Sequence, residues 1–457
     1  MPTYCLNSHR TALRSLWLLF AASILLAGCG TPATPAAAPT RTPYPPLVVS
    51  TRLTAAKREE IFNAVWQTVN DEYFDPTFGG MDWSAIGDEY RQKLSSVTDD
   101  NTFWVDVINP MLWELGASHM AALPPELAYL IEPMTFATGS LGLDVRPIDG
   151  LAVVSGVVEG SPADEAGLRP GFVVTSVDGW TLEDAIMSAK ATPPLNEQHA
   201  RAAPVQELRS RLYGEPGDEV AIGFLDANDE PQRVDLTFVE RTGLACSTEL
   251  APSAPPACAE LEVRRLEGGI GYLRFSGFLG GILDGVLRAL EDLRDAPGLI
   301  IDLRGNPGGV LFVRQTIASH LVGRREVFMI YQYRGYREPM FLDEVPDPYP
   351  GEVVILVDEL SASSSEEFAG SQQALGRATI IGTRTAGSCL TANFISLPHG
   401  GVLVYANSLP QTPDGRVLEY NGVVPDIVVS LDRAELLQGI DAQLQAALDF
   451  LSGRSGE

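Results

Sequence analysis

The sequence predicts a multidomain α/β protein: an N-terminal helical cap, a middle domain of short strands, and an α/β core. Three observations carry this. Ile61, Val65 and Val69, then Trp104, Val107 and Leu112, recur at helix spacing within residues 51–135. Residues 136–242 read as short strands punctuated by glycine turns. From 243 to 457 strands and helices alternate, which calls for helices covering a sheet. A chain of 457 residues with 45% hydrophobic content can bury two or three such cores.

Two segments precede the first domain. Arg10 and Arg14 stand before an apolar run, Leu16 to Ala27, that closes in Leu26-Ala27-Gly28-Cys29. Residues 1–28 therefore read as an export signal, too short for a comfortable span. Leu-Ala-Gly-Cys resembles a bacterial lipobox, which implies lipid on Cys29 and a mature protein tethered to a bilayer on the extracytoplasmic side; the alternative is an ordinary signal with a chance cysteine. Residues 29–50, rich in Pro, Thr and Ala, read as an extended spacer.

The formal charge is −27, and removing the two arginines of residues 1–28 leaves about −29. Nucleic acid and anionic head groups would be repelled, so neither is expected as a partner. Cys246 and Cys258 flank a Pro/Ala/Ser-rich insertion and are expected to pair in an exported protein. Cys389 is left as a buried thiol, and Cys5 leaves with the signal.

The middle domain resembles a PDZ domain through Ser140-Leu141-Gly142-Leu143, Ser161-Pro162-Ala163, Ala166-Gly167-Leu168 and Val177-Asp178-Gly179. That resemblance implies capture of a peptide by strand addition, with N–H groups of the 140–143 loop holding its terminal carboxylate; a mere spacer is the other reading. In the core, strands are expected at Gly271–Phe275, Gly298–Leu303, near 327–333 and 353–357, and at Thr379–Ile381. Helices are expected at Asp284–Arg294 and near 312–322.

The run Val353-Val354-Ile355-Leu356-Val357 then meets Ser361, Ser363, Ser364 and Ser365 and a helix carrying Glu366 and Glu367. A serine at a strand-to-helix turn can point outward beside free helix N–H groups. The same cluster is also a capping box, which needs only to start a helix.

The order of parts resembles the S41 peptidases, the family of C-terminal processing and tricorn-type proteases, through IDLRGNPGG, VDELSASSSEE, TRTAG and NGVVPDI. The resemblance implies a ClpP/crotonase-like core, Ser363 as nucleophile, and an oxyanion site from the N–H of Gly308 or Gly309 together with that of Ser364. One branch of the family places a lysine 25 positions after the serine. Here that position is Ser388, and the only lysines are Lys57, Lys93 and Lys190, so a lysine base from the core is excluded. The tricorn branch instead uses histidine within Leu-Gly-x-Ser-His, matched by Leu115-Gly116-Ala117-Ser118-His119, and a glutamate matched by Glu419. A neutral imidazole suits a hydroxyl nucleophile, with Ser118 relaying a hydrogen bond from Glu419. His320 is the competing base but lies on an expected covering helix, while His199 and His399 are expected to be exposed. Asp302 and Arg304 read as a local pair that holds the glycine turn.

These readings make the chain a serine endopeptidase acting on unfolded or C-terminal segments of exported proteins. The alternative is a non-catalytic peptide- or lipid-binding relative. No metal or organic cofactor is implied, since HExxH, clustered Cys/His and phosphate-loop motifs are missing.

Overall fold

The computed structural model describes residues 53–125, 137–190, 194–247 and 257–454. The signal, the spacer and Cys29 lie outside them. No described helix is long and apolar enough to cross a membrane.

Helix α1 (Ala55–Glu72) starts where Thr54 Oγ1 accepts the Lys57 N–H, and buries Ile61, Phe62, Val65 and Val69. These pack with α2 (Trp83–Lys93) and with the helical run Asp100–Thr102, Phe103–Ile108 and α3 (Asn109–Trp113). The segment is not helical throughout. Strand β1 (Ala121–Leu123) leaves it and pairs with a core strand, Ala121 opposite Val404. Three residues without alternation carry no strand signal, so only the partner makes them one.

The middle domain contains β2 (Leu143–Ile148), β3 (Leu151–Val157), β4 (Val173–Val177), α4 (Leu182–Ala189), α5 (Glu197–Ser210), β5 (Glu219–Leu225) and β6 (Pro231–Thr237). Its long strands lie in the order β2-β3-β4-β5-β6. Alternation in β5 sends Val220, Ile222 and Phe224 inward against Val205 and Leu208 of α5. His199 sits in the first turn of α5, half-buried rather than exposed as expected, and its Nδ1 accepts the Leu195 N–H at 3.4 Å.

The core sheet has seven strands: β7 (Leu244–Ser247), β8 (Ala257–Arg265), β9 (Gly271–Phe275), β10 (Gly298–Asp302), β13 (Glu352–Val357), β14 (Ala378–Gly382) and β17 (Ile427–Val428), in that spatial order. From β9 onward all pairs are parallel. A parallel sheet is covered on both faces, which is why its strands read as continuous apolar runs. Leu299, Ile301, Val353, Ile355 and Ile380 face α6 (Gly280–Asp292), α7 (Leu311–Val322) and α8 (Ser364–Ala374). Ile300, Val354, Leu356 and Ile381 face α9 (Ala442–Arg454). Each fully buried Val or Ile is worth roughly 1.5–3 kcal/mol of transfer free energy. The expected helix at Asp284–Arg294 begins four residues earlier and ends at Asp292. The disulfide Cys246–Cys258 joins directly opposed residues of β7 and β8.

A second sheet of β11 (Val327–Tyr333), β12 (Tyr336–Phe341), β15 (Thr391–Ser396) and β16 (Val402–Gln411) receives β1 against β16. Leu390, Leu403, Tyr405 and Ala406 join the apolar core of the N-terminal helices. The segment bearing His119 is thereby pinned beside the core.

Candidate active site

The turn between β13 and α8 is laced to the glycine turn after β10. Asp358 accepts the Gly305 and Leu360 N–H groups at 2.8 and 3.0 Å, and Ala362 N donates to Asn306 O at 3.1 Å. Arg146 of β2, buried, pairs with Asp358 at 2.8 Å and ties the middle domain to this turn. Asp302 and Arg304 pair locally beside the glycine turn, and Arg304 reaches on to Asp441.

The four serines of the turn differ in what their hydroxyls do. Ser361 Oγ donates to Leu303 O at 2.8 Å, Ser364 Oγ to Gly309 O at 2.7 Å and Ser365 Oγ to Asn306 O at 2.9 Å. Arg314, itself buried and paired with Glu367, donates to Ser364 Oγ at 2.8 Å. Ser363 is the exception: its hydroxyl donates to no acceptor among the described residues, and its side chain is partly exposed. Its backbone, at φ 53° and ψ −117°, is one that a Cβ makes costly. The helix is capped without using the hydroxyl proton: the Ser363 N–H donates to Glu366 Oε2 at 3.1 Å and the Glu366 N–H to Ser363 O at 2.9 Å.

His119 and Tyr420 also have positive φ, 58° and 64°. Three of the non-glycine residues with that strain therefore belong to the segments gathered here. Glu419, buried, accepts from Ser118 N and Ser118 Oγ, both at 2.9 Å, from Cys389 N at 2.7 Å and from Leu390 N at 3.2 Å. Ser118 and Glu419 are 301 positions apart in the chain. Ser118 Oγ lies 2.8 Å from His119 Nδ1. A hydroxyl that gives its proton to a carboxylate must accept from the imidazole, so Nδ1 carries the hydrogen and Nε2 a lone pair. Burial pushes the His119 pKa down to about 4 and that of Glu419 up, the latter against its hydrogen bonds to Cys389 and Ser118.

The bracket between the two halves is the segment Thr385–Leu390. Ser388 O accepts the Ser363 N–H at 2.9 Å, and Cys389 and Leu390 donate to Glu419. Buried Glu366, its pKa raised by burial to about 8, accepts from Thr385 Oγ1, Gly387 N and Ser388 N at 2.6, 2.7 and 3.0 Å. The position that holds lysine in the other branch is here a backbone joint. Neither this role nor that of buried Arg314 was visible beforehand; the TRTAG motif was the available signal. Cys389 is buried with its Sγ 3.9 Å from Ser363 O, and burial raises its pKa well above the thiol norm. His320 lies on α7, its Nδ1 2.9 Å from Thr316 O, and His399 pairs with Glu60.

Among the three candidate oxyanion donors, two N–H groups are unused. Gly308 N already donates to Asn306 Oδ1 at 2.9 Å. Gly309 and Ser364 have backbone N–H groups with no acceptor among the described residues, and Ser364 opens α8, where the helix dipole favours negative charge. Gly308 is irreplaceable for shape. At φ 109°, an added Cβ would stand 2.8 Å from both Ser363 Cβ and Ser364 N. Gly308→Ala is expected to cost about 1–3 kcal/mol by denaturant unfolding.

Residues 269–429 match the model of peptidase family S41, residues 54–112 the tricorn protease C1 domain and residues 153–187 the PDZ domain. The core of the chain, residues 269–429, is thus similar to peptidase family S41. A carboxyl-terminal-processing protease of Synechocystis sp. is 28% identical over 414 residues, 88% of either chain. A chloroplastic C-terminal processing peptidase of Tetradesmus obliquus is 26% identical, over 80% of this chain and 76% of its own. Among solved structures, a photosystem II D1 C-terminal processing protease superposes with a TM-score of 0.56 at 23% identity, covering 86% of this chain and 99% of its own. Mature CPAF complexed with lactacystin gives 0.55 at 15%, covering 87% and 98%. At those identities the two structures show a shared fold.

Proposed function

We propose that this protein is a serine endopeptidase that cuts unfolded or C-terminal segments of exported polypeptides, tethered to a bilayer through lipid on Cys29. Ser363 Oγ attacks the scissile carbonyl as its proton passes to His119 Nε2. The imidazolium that forms is stabilised through Ser118 by Glu419. The oxyanion is taken by the N–H groups of Gly309 and Ser364; the Gly308 N–H is occupied by Asn306. Collapse breaks the C–N bond, and His119 returns the proton to the departing amine. Water then attacks the ester under the same base and releases the acid.

The observation that carries the reading is the sorting of the serine hydroxyls: the strained one is free, and its neighbours are spent. The hydrogen-bonded Glu419–Ser118–His119 row, linked to the Ser363 backbone through Ser388 and Cys389, supports the same chemistry. The test is reaction of the purified full chain with a fluorophosphonate, in parallel with unfolded casein. Wild type should label at one serine and cleave casein; folded wild type that does neither returns the chain to the binding-module reading.

The PDZ loop carries a separate expectation. Ser140 Oγ holds the Gly142 N–H at 2.9 Å, a donor that a terminal carboxylate would compete for, next to Leu141 and Leu143. Substrate peptides with a free C-terminus should show a KM about tenfold below their amidated counterparts, the scale of one charge-assisted hydrogen bond. Equal KM values would remove carboxylate capture from the mechanism.

A further inference from the structure

The segment Thr385–Leu390 and the loop bearing Glu419 are held together from outside the core. Tyr420 N donates to Gly387 O at 2.8 Å, joining the two. On their outer side sits Asn196, which belongs to the middle domain and opens α5. Its Nδ2 donates to Ala386 O at 2.8 Å and to Tyr420 O at 3.0 Å, and its Oδ1 accepts the His199 N–H at 2.8 Å. All three hydrogen-bonding functions of this amide are thus used, and a flipped amide would set Oδ1 against two carbonyl oxygens. The fit is close. A Cβ on Gly387, at φ 69°, would come 2.5 Å from Asn196 Nδ2.

We propose that Asn196 is a positioning residue for the reaction, clamping through Ala386 and Tyr420 the two loops that hold Ser363 and Glu419. Ala386 is followed by Gly387 and Ser388, which carry Glu366 and the Ser363 N–H; Tyr420 is adjacent to Glu419 in the chain. Tyr420 is itself strained, at φ 64°, and a residue in that conformation persists only where its surroundings hold it. Asn196 is held in turn by α5, whose Val205 and Leu208 are anchored in the middle-domain core. The amide therefore fixes the loops against a part of the molecule that is not the peptidase core. The catalytic consequence rests on the function proposed above; the clamp itself does not.

The discriminating variants keep the helix cap and change the clamp. Asn196→Asp preserves an N-cap of equal quality but turns a carboxylate oxygen toward the Ala386 and Tyr420 carbonyls; Asn196→Ser preserves the cap without the reach. In the full chain, both should speed amide hydrogen exchange across 385–390 and 419–422 at least tenfold, leaving α5 exchange and Tm unchanged. Asn196→Asp should lower kcat at least tenfold with KM within twofold. Wild-type exchange in those loops overturns the proposal. So does faster exchange with unchanged kcat, or a loss of kcat that merely follows a fall in Tm. If wild type neither labels nor cleaves, the peptidase reading fails alone, and the exchange rates still decide whether Asn196 clamps the loops.

Discussion

On the proposed mechanism, Ser363→Ala should eliminate fluorophosphonate labelling and drop casein hydrolysis by about 10⁶-fold in kcat, the loss expected when the nucleophile of an interdependent catalytic set is removed. The fold should not notice. Serine and alanine pay the same Cβ penalty at φ 53° and ψ −117°, and the lost hydroxyl donates to nothing among the described residues, so stability should stay within about 0.5 kcal/mol. Ser364→Ala makes the contrasting case one position on. It removes a hydroxyl that donates to Gly309 O and accepts from Arg314, leaving a buried guanidinium short of a partner at a cost of about 1–3 kcal/mol. Its backbone N–H remains, so labelling should persist in the folded fraction. Mass spectrometry of the labelled peptide and a denaturant midpoint for each variant separate the two serines. Label found on a neighbouring hydroxyl in Ser363→Ala would move the nucleophile and undo the assignment.

How much of this could be read without coordinates depended on distance along the chain. The core strands were legible because each is a local apolar run: Val353–Val357 announces a strand covered on both faces, and it is one. Strand β1 was not, since Ala121–Leu123 becomes a strand only by pairing with residues 402–404. The meeting of Ser118 with Glu419 has no local pattern at a separation of 301 positions, and it was suggested only by resemblance to a family. Asn196 carried no signal at all, because what it binds are two backbone carbonyls, and carbonyls are invisible in a sequence of side chains. The choice between Gly308 and Gly309 was open for a similar reason. It turns on Asn306, whose side chain occupies one of the two N–H groups.

Glu419→Gln should lower kcat by about 10⁴, the size of the effect when an orienting carboxylate becomes an amide and the wrong imidazole tautomer results. The argument follows the hydrogens. In the wild type, Ser118 Oγ gives its proton to Glu419 Oε2, so His119 Nδ1 must be the donor and Nε2 the base. A glutamine NH₂ placed there would donate to Ser118 Oγ; the hydroxyl proton would turn to Nδ1, and the hydrogen of the imidazole would move to Nε2, where no proton can be accepted. The other orientation keeps the tautomer but sets the NH₂ against the Ser118 N–H, while the first sets it against the Cys389 and Leu390 N–H groups, so each displaces the loops that Glu419 ties together. The pH profile supplies an independent check. On the proposed mechanism the neutral imidazole is the active form, so activity should be present above the His119 pKa and lost below it. With that pKa at about 4 rather than the free value near 6.5, kcat/KM should hold level from pH 8 to 6 and fall only in more acid solution. Glu419, its pKa also raised by burial, must be ionised to accept from Ser118, so its protonation adds to the acid-side loss. Stability moves the same way. An unfolded histidine takes up its proton near pH 6.5 and the folded one only near 4, so the contribution of the neutral ring is full above 6.5 and shrinks as pH falls toward 4. A single-proton limb centred between pH 6.5 and 7 would mean that His119 is solvated like a free imidazole, and the buried relay could not then be what drives Ser363.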